Sequence, residues 1–308
     1  MTIKQVRVLH HHDLLQNLEI DSFIKELNQK PLRERLKFLN SKIKSNAYPR
    51  FIYKYRPLIV DHKEQVSWLR DYLVESRLWL STPIAFNDPF DMRGRFIFEG
   101  NPEAKKSHLM NTLKEFGPDL TNQEREIGAS ELLAAGDFPK ILENNYEQQR
   151  QNFGVCSFAG DVRNILMWAH YGSNHSGVCL QFQLAEDLQI FGRAISVEYS
   201  SEYPIMNYLA DFQKSMTPTL FRKSKGWEYE RERRIVHCNG ANSCLTFSPS
   251  ALTALVLGCE MQAASEEIVK NLLEERQDKG FPPVKIFRAF RHGTQYRLYL
   301  LRQRHLEP

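Results

Sequence analysis

The sequence predicts an α+β fold in which helices surround a mixed or antiparallel central sheet. Two observations favour this class over a regular alternation of strands and helices. The segment 102–150 is polar and helical, and it separates the first strands from the later ones. After residue 150, short β-rich segments follow one another, with helices near 205–223 and 264–278.

Residues 1–50 are predicted to form a basic helical arm. Apolar residues recur there at helical intervals in two groups, which indicates two amphipathic helices. Pro49 ends the arm, because a proline disfavours helix at the residue before it. We therefore divide the chain into this arm and a core domain over 51–308.

The core domain begins with a strand over 51–56. A helix over 63–76 follows, since apolar residues recur on one of its faces. The next strand is predicted over 78–81. These three elements open the predicted sheet.

The segment 102–150 is predicted to be a helical insertion between strands. Breaks at Gly117-Pro118 and at 136–139 divide it into several helices. A short helix that carries Trp168 lies between the next two strands. The remaining predicted strands are at 153–158, 177–182, 194–199, 231–238, 252–258, 284–289 and 295–302.

The composition is that of an ordinary globular protein, with 42% hydrophobic and 25% charged residues. No apolar run approaches the length of a membrane span, and the N-terminus lacks the apolar region of a signal peptide. The five cysteines include no CxxC pair, which favours reduced thiols over disulfides or a zinc site. We expect a cytoplasmic protein with no membrane association and no metal.

Positive charge is concentrated at the two ends of the chain. Residues 1–50 hold ten Lys/Arg against five Asp/Glu, and residues 285–308 hold six against one. Each end therefore carries +5, and the middle sums to −6, because the net charge is +4. The basic ends could hold nucleic-acid phosphates, and the arm could also bind a protein partner.

Aromatic and charged residues gather in three short blocks that are far apart in sequence. Charged groups are buried only when they are paired, so neither a plain core nor a plain solvated face needs such a density. The blocks therefore indicate the walls of one pocket. They are Phe86-Asn87-Asp88-Pro89-Phe90-Asp91, Asn164-Ile165-Leu166-Met167-Trp168-Ala169-His170-Tyr171-Gly172 and Trp227-Glu228-Tyr229-Glu230-Arg231-Glu232-Arg233-Arg234.

With Tyr53-Lys54-Tyr55-Arg56 and Leu78-Trp79-Leu80-Ser81-Thr82-Pro83, these blocks form an ordered series. The series resembles the bacterial domain of unknown function 2971 family over about residues 51–260. Five blocks in the same order make the resemblance specific. The chemistry of that family is poorly established, so the resemblance does not by itself imply an activity.

The opening strand, helix and strand are also similar to the start of the ADP-ribosyltransferase fold. In one branch of that superfamily, an arginine, a serine-threonine element and a Glu-x-Glu element surround the dinucleotide. Arg56, Ser81-Thr82 and Glu230-Arg231-Glu232 reproduce this order. The resemblance implies an ADP-ribosyltransferase-like core that consumes NAD as a substrate and modifies nucleic acid or protein in a bacterial defence or toxin setting.

The expected chemistry explains why these residue types would be needed. Cleavage of the bond between nicotinamide and ribose builds positive charge on the ribose, which a carboxylate stabilises. Glu230 and Glu232 would face one cavity if they lie two apart on a strand. Arg56 or Lys54 would clamp the pyrophosphate.

These arguments predict Glu230, Glu232 and Arg56 as catalytic residues. The residues predicted to contact the dinucleotide are Tyr53, Lys54, Tyr55, Ser81, Thr82, Phe86, Asn87, Asp88, Trp168, His170, Tyr171, Trp227 and Arg234.

Each block also has a structural interpretation. Glu230, Glu232 and Arg234 could be an exposed ion-pair ladder. The Asn87-Asp88-Pro89 segment could be a turn or a helix cap. The aromatic residues of the Trp168 helix could belong to the core, and His170 could be a structural histidine.

Two other functions remain open. In a metal-dependent nuclease, Asp88, Asp91, Glu230 and Glu232 would bind magnesium. That reading is less favoured, because arginines follow the Glu-x-Glu element where common nucleases have a lysine. In a non-catalytic sensor, the same pocket would bind a nucleotide without turning it over.

Overall fold

A computed structural model describes residues 29–35, 37, 49–209 and 212–307. Most of the predicted basic arm therefore lies outside the described residues. Within the described part of the arm, Leu32 packs against the main core. Arg35 donates hydrogen bonds to the backbone carbonyls of Ala185 and Glu186.

The chain forms an α+β fold, as predicted. The strands are β1 (Phe51–Arg56), β2 (Arg77–Leu80), β3 (Arg95–Ile97), β4 (Gly154–Phe158), β5 (Val178–Gln183), β6 (Ile195–Ser196), β7 (Glu198–Ser200), β8 (Ile205–Asn207), β9 (Arg222–Ser224), β10 (Arg233–His237), β11 (Ser243–Thr246), β12 (Leu252–Leu257), β13 (Lys285–Arg291) and β14 (Leu298–Arg302).

The α-helices are α1 (Lys63–Leu73), α2 (Pro102–Phe116), α3 (Asn122–Ala135), α4 (Phe138–Arg150), α5 (Ile165–Tyr171), α6 (Leu188–Phe191), α7 (Phe212–Phe221) and α8 (Ala263–Asp278). A 3-10 helix over Lys225–Glu230 ends at Glu230, one of the buried carboxylates described below. None of the helices in the described part of the chain is long and apolar enough to cross a membrane.

The largest sheet is mixed, with the strand order β1-β5-β12-β13-β14. Strands β12 and β13 run parallel, and the other neighbours are antiparallel. The main core lies against this sheet and includes buried residues of α1, α8 and β2. The mixed central sheet is therefore confirmed.

A second, antiparallel sheet has the order β4-β10-β6. Two isolated bridges join it to neighbouring strands: Tyr53 of β1 pairs with Ala159, and Ser81 pairs with Val155 of β4. These bridges bring β1, β2 and β4 together at one junction. The junction forms the base of the cavity described below.

Helices α2, α3 and α4 occupy the segment predicted to be helical, and they pack around a small core of their own. Thr121 and Glu124 form a capping box at the start of α3. The helix ends at Gly136, whose φ of 71° is left-handed and suits glycine. The breaks expected from glycine and proline are thus where these helices meet.

Three predicted elements differ from the structure. The strand expected over 194–199 is divided into β6 and β7, which pair with different partners. The helix expected near 205–223 begins with the strand β8, and α7 follows. The strand expected over 231–238 begins only at Arg233, because Arg231 has a left-handed φ of 45°.

Candidate active site

A cavity of about 460 Å³ lies where β1, β2 and β4 meet α5 and the 3-10 helix. Its wall combines segments that are up to 180 residues apart in the chain, and many of the predicted site residues are among them. The lining residues are Tyr53, Lys54, Tyr55, Arg56, Ser81, Ala85, Phe86, Asn87, Asp91, Ser157, Phe158, Ala159, Met167, His170, Tyr171, Lys223, Glu230 and Glu232.

One wall of the cavity is strand β1. Lys54 Nζ donates a hydrogen bond of 2.7 Å to the carbonyl of Ser157 on β4. Burial lowers the pKa of Lys54, and the nearby guanidinium of Arg56 lowers it further. The guanidinium carbon of Arg56 lies 4.9 Å from the centre of the Trp68 ring, so a cation–π contact fixes this side chain at the cavity.

The opposite wall contains a buried cluster of five charged side chains. Arg234 is fully buried, and it donates to both oxygens of Asp91 and both oxygens of Glu232 over 2.5–2.9 Å. Lys223 Nζ donates to Glu230 Oε2 at 2.6 Å and to Glu232 Oε2 at 3.3 Å. The same Nζ lies 3.7 Å from Asp91 Oδ2, which completes the cluster.

The cluster contains three carboxylates but only two cations. Burial raises the pKa of Glu230, and the Glu232 carboxylate adds to this, against the opposing effect of Lys223. Burial also acts on Glu232, but Arg234 and Lys223 lower its pKa to about 2. Burial opposes the charge of Lys223, yet Glu232, Glu230 and Asp91 raise its pKa. Glu230 is therefore the carboxylate whose charge the cluster compensates least.

Glu230 faces α5 through its other oxygen. Tyr171 donates a hydrogen bond of 2.7 Å to Glu230 Oε1. Burial raises the pKa of Tyr171, and the neighbouring Glu230 raises it further, so the phenol stays protonated and acts as the donor. Asn87 Nδ2 lies 3.4 Å from the same phenol oxygen and orients it. Asn87, Tyr171 and Glu230 thus form a connected chain in the cavity wall.

The backbone between the two glutamates explains how both reach Lys223. Glu230 ends the 3-10 helix, and Arg231 then takes a left-handed φ of 45°. The expectation that both glutamates lie on one strand is wrong, because Glu230 ends the 3-10 helix and Glu232 directly precedes β10, which begins at Arg233. The two carboxylates converge because Arg231 turns the chain between them.

Close packing with Gly160 makes this turn possible. The Gly160 N–H donates to the carbonyl of Glu230 at 3.1 Å. A Cβ atom at position 160 would lie 2.7 Å from Arg231 Cβ and 3.0 Å from its carbonyl oxygen. Only glycine leaves room for this approach without a shift of the backbone.

Aromatic side chains surround the cluster beside the cavity. The ring of His170 lies 6.2 Å from that of Tyr229 and 6.4 Å from that of Trp227. Lys223 Nζ lies 4.8 Å from the centre of the Trp227 ring. Asn164 caps α5 and donates to the carbonyl of Tyr229, so it links α5 to the 3-10 helix. Trp227 therefore packs on the cluster rather than lining the cavity.

Two predicted contact residues lie in the interior instead. Trp168 is fully buried, and its Nε1 donates to the carbonyl of Val162. Arg234 is also fully buried, and its donors are used by Asp91, Glu232 and the carbonyl of Leu220. Trp168 is thus a core residue, as the structural interpretation allowed, and Arg234 positions carboxylates.

Two more predicted residues, Asp88 and Thr82, do not line the cavity. Asp88 accepts a hydrogen bond of 2.9 Å from the Phe90 N–H. This contact agrees with the interpretation of the Asn87-Asp88-Pro89 segment as a turn. Thr82 donates to the carbonyl of Gln151. The exposed ion-pair ladder is wrong, because Glu230, Glu232 and Arg234 are all buried.

Sequence reasoning missed Lys223, which contacts all three carboxylates. The residue lies in the run Arg222-Lys223-Ser224-Lys225, which is typical of a solvated surface segment. It is buried because β9 pairs with β7 and places it against the cluster. No local pattern distinguishes this lysine from its basic neighbours.

The cluster does not resemble a metal site. In the part of the chain that the structure describes, no group of three or more His, Cys, Asp or Glu side chains could hold a metal ion. Asp91 and Glu232 are bound by Arg234, and Glu230 is bound by Lys223. The magnesium-binding arrangement required of a nuclease is therefore not supported.

No curated protein and no solved structure matches the chain. The similarity to ADP-ribosyltransferases consequently stays a prediction from the sequence. A family comparison matches residues 167–235, which include most of α5, Lys223 and the carboxylates Glu230 and Glu232. Over this segment the chain is similar to the family described as "Protein of unknown function (DUF2971)".

Proposed function

We propose that the cavity binds NAD and that the protein is an NAD-consuming enzyme of the ADP-ribosyltransferase type. The observation that carries the proposal is the convergence of Arg56, Ser81 and Glu230 on one cavity. They lie on β1, directly after β2 and at the end of the 3-10 helix. These are the positions at which the resemblance predicted residues around a dinucleotide.

The charge balance of the cluster supports a catalytic role for Glu230. When the bond between ribose C1′ and the nicotinamide nitrogen breaks, its electron pair leaves with the nicotinamide, and positive charge develops on the ribose. Glu230 is the least compensated carboxylate of the cluster and lies in the cavity wall. A negative group fixed in a site of low polarity stabilises such a charge more in the transition state than in the ground state.

The remaining residues have distinct roles in this proposal. Glu232, bound by Arg234 and Lys223, positions the cluster rather than acting on the ribose. Arg56 is placed to bind the pyrophosphate, since a guanidinium donates two parallel hydrogen bonds to phosphate oxygens. The nucleophile of the acceptor then bonds to C1′ and releases its proton to water. Tyr53, Phe86 and other aromatic walls would pack on the bases.

The experiment is calorimetric titration of NAD together with an assay of nicotinamide release. We expect Arg56→Ala to weaken NAD binding by about 10- to 100-fold, the usual value of a charged hydrogen bond. Arg77→Ala is the matched control, because Arg77 is exposed on β2 and pairs with Asp71. Absence of both NAD binding and nicotinamide release by the wild-type protein would refute the proposal.

A sensor that binds NAD without consuming it is the second candidate. It is favoured by the fact that both oxygens of Glu230 already accept hydrogen bonds, from Tyr171 and Lys223. Binding without release of nicotinamide, in the presence of total nucleic acid and protein as acceptors, would support the sensor over the transferase.

A further inference from the structure

A second cavity, of about 660 Å³, lies beside the hairpin that joins β13 and β14. It shares no lining residue with the first cavity. Helix α5 contacts both, since Ile165 lines the second cavity and Tyr171 lines the first.

The second cavity is lined by cationic and aromatic groups. Arg291 and Arg297 lie at the two ends of the hairpin turn, and Tyr296 lies between them in sequence. The Tyr296 side chain is 100% exposed, and that of Arg291 is 79% exposed. Among the described residues, the carboxylate that reaches either arginine is Glu260, at 3.6 Å from Arg291 Nη1. A single exposed pair at this distance leaves the cavity positively charged.

The turn that carries these residues is ordered by its own hydrogen bonds. The His292 N–H donates to the carbonyl of Arg297 at 3.0 Å, and Arg297 Nη2 lies 3.1 Å from His292 Nε2. The Thr294 N–H donates to His292 Nδ1 at 3.3 Å. The arginines and the tyrosine are therefore presented on a defined scaffold.

The loop that follows α5 is strained, and it reaches this cavity through His175. Ser173, Asn174 and His175 all have positive φ values, of 47°, 49° and 70°. Such a run of non-glycine residues is costly, and strain of this kind concentrates at binding sites. The carbonyl of His175 accepts from the Glu260 N–H, and a Cβ at Gly258 would lie 2.0 Å from the same oxygen.

This packing fixes His175 in the cavity wall. Its Nδ1 atom is buried and has no hydrogen-bond partner among the described residues.

We propose that the hairpin cavity binds single-stranded nucleic acid. Arg291 and Arg297 contact the phosphates, and a base stacks on the exposed ring of Tyr296. Cationic grooves combined with aromatic stacking platforms are the usual basis of single-strand binding. Binding at this cavity does not depend on the proposed function. The use of the bound strand as acceptor at the first cavity would rest on it.

The test is fluorescence anisotropy of a labelled 20-nucleotide single strand, as DNA and as RNA, without NAD. We expect the double variant Arg291→Ala/Arg297→Ala to weaken binding at least tenfold. The slope of the logarithm of the binding constant against the logarithm of the salt concentration should become shallower by about 0.7 per lost phosphate contact. Tyr296→Ala should weaken binding by about tenfold, whereas Tyr296→Phe should retain it. Lys114→Ala/Lys140→Ala is the matched control, since both lysines are exposed on the helical insertion.

Several results would overturn the proposal. One is wild-type binding that the double arginine variant leaves unchanged, which would assign binding to another part of the chain, such as the basic residues 1–50. A second is equal affinity of the wild-type protein for a duplex of the same sequence. A third is that the arginine and tyrosine variants lose binding to vesicles of anionic phospholipid but keep their affinity for the single strand. Because the assay contains no NAD, its failure is distinguishable from a failure of the proposed function.

Discussion

Glu230 and Glu232 are two residues apart, yet the structure gives them different electrostatic environments. Glu232 is held by Arg234 and Lys223, which lower its pKa to about 2. Burial raises the pKa of Glu230. The contrast arises because the cluster contains three carboxylates but only two cations. Glu232 therefore stabilises the fold at neutral pH, whereas ionised Glu230 opposes it.

We predict opposite effects on stability for the two matched substitutions. Glu232→Gln should lower the free energy of unfolding at pH 7 by about 3–5 kcal/mol, since Arg234 Nε and Nη2 lose the ionised carboxylate to which both donate, and Glu230 contacts Lys223 rather than Arg234. Glu230→Gln should leave it unchanged or raise it, because the two cations then face two carboxylates. Urea unfolding of both variants measures this. Equal destabilisation by both would contradict the charge balance.

The pH dependence of the free energy of unfolding follows from the opposite pKa shifts of the two glutamates. The lowered pKa of Glu232 contributes stability that is present above 4.5 and lost as the pH falls toward 2. The raised pKa of Glu230 contributes stability that is present below 4.5 and lost as the pH rises through its folded-state pKa.

The proposed catalysis, in contrast, needs the ionised form of Glu230. We predict that kcat/KM for nicotinamide release falls as the pH decreases through a pKa above 4.5. The residual activity of Glu230→Gln should lack this acid limb. A profile with the same limb in the variant would assign the titration to another group.

At the scale of elements, the site depends on a tight contact between the loop after β4 and the turn before β10. We predict that Gly160→Ala displaces the Arg231 turn, because its Cβ would lie 2.7 Å from Arg231 Cβ. The substitution should lower the free energy of unfolding by about 1–3 kcal/mol, as overpacking does, and should reduce nicotinamide release.

Gly226→Ala is the control in the neighbouring 3-10 helix. The nearest atom to its added Cβ is Ser224 Oγ at 3.9 Å, so there is space for a methyl group. We expect wild-type stability and activity for this variant. Equal losses in both alanine variants would mean that the Gly160 contact has no special role.

The longer elements could be predicted from the sequence because their periodicity and breaks are local signals. The apolar face of α1 and the breaks at Gly117 and Gly136 are examples. Short strands such as β9 could not be predicted, since three residues in a basic run carry no alternating pattern. Their pairing is determined by distant partners, and β9 is what places Lys223 in the cluster.

At the scale of the whole molecule, the site is formed by bridges between sheets rather than by one element. The sequence predicted that separate blocks converge, because aromatic and charged residues are too dense there for a plain core or surface. It could not predict which of these residues face the cavity. Trp168 and Arg234 belong to the same blocks as Tyr171 and Glu230, but packing places both in the interior.

Another buried arginine joins helix α8 to the end of α1 and to the segments that precede β12 and β13. Arg276 on α8 donates to the carbonyls of Leu73, Pro249 and Pro282 over 2.7–3.0 Å. We predict that Arg276→Met lowers the free energy of unfolding by about 3–5 kcal/mol, because three carbonyls lose their donor. Lys279→Met, which removes an exposed pair with Glu75, should cost about 1 kcal/mol or less.

Chemical denaturation of these two variants measures the difference. The Arg276 contacts lie outside the cavity lining. We therefore expect the folded Arg276→Met protein to bind NAD with the same affinity as the wild-type protein. A loss of stability no larger than that of the lysine variant would contradict the structural role assigned to Arg276.

The central claim is that Glu230 is the carboxylate that stabilises positive charge on the ribose of NAD. The most direct test is the rate of nicotinamide release by wild-type protein, Glu230→Gln and Glu228→Gln, in which Glu228 is the exposed glutamate two residues earlier. We predict a loss of about 10²- to 10³-fold for Glu230→Gln, with wild-type activity for Glu228→Gln. Nicotinamide release by Glu230→Gln at the wild-type rate would contradict the account.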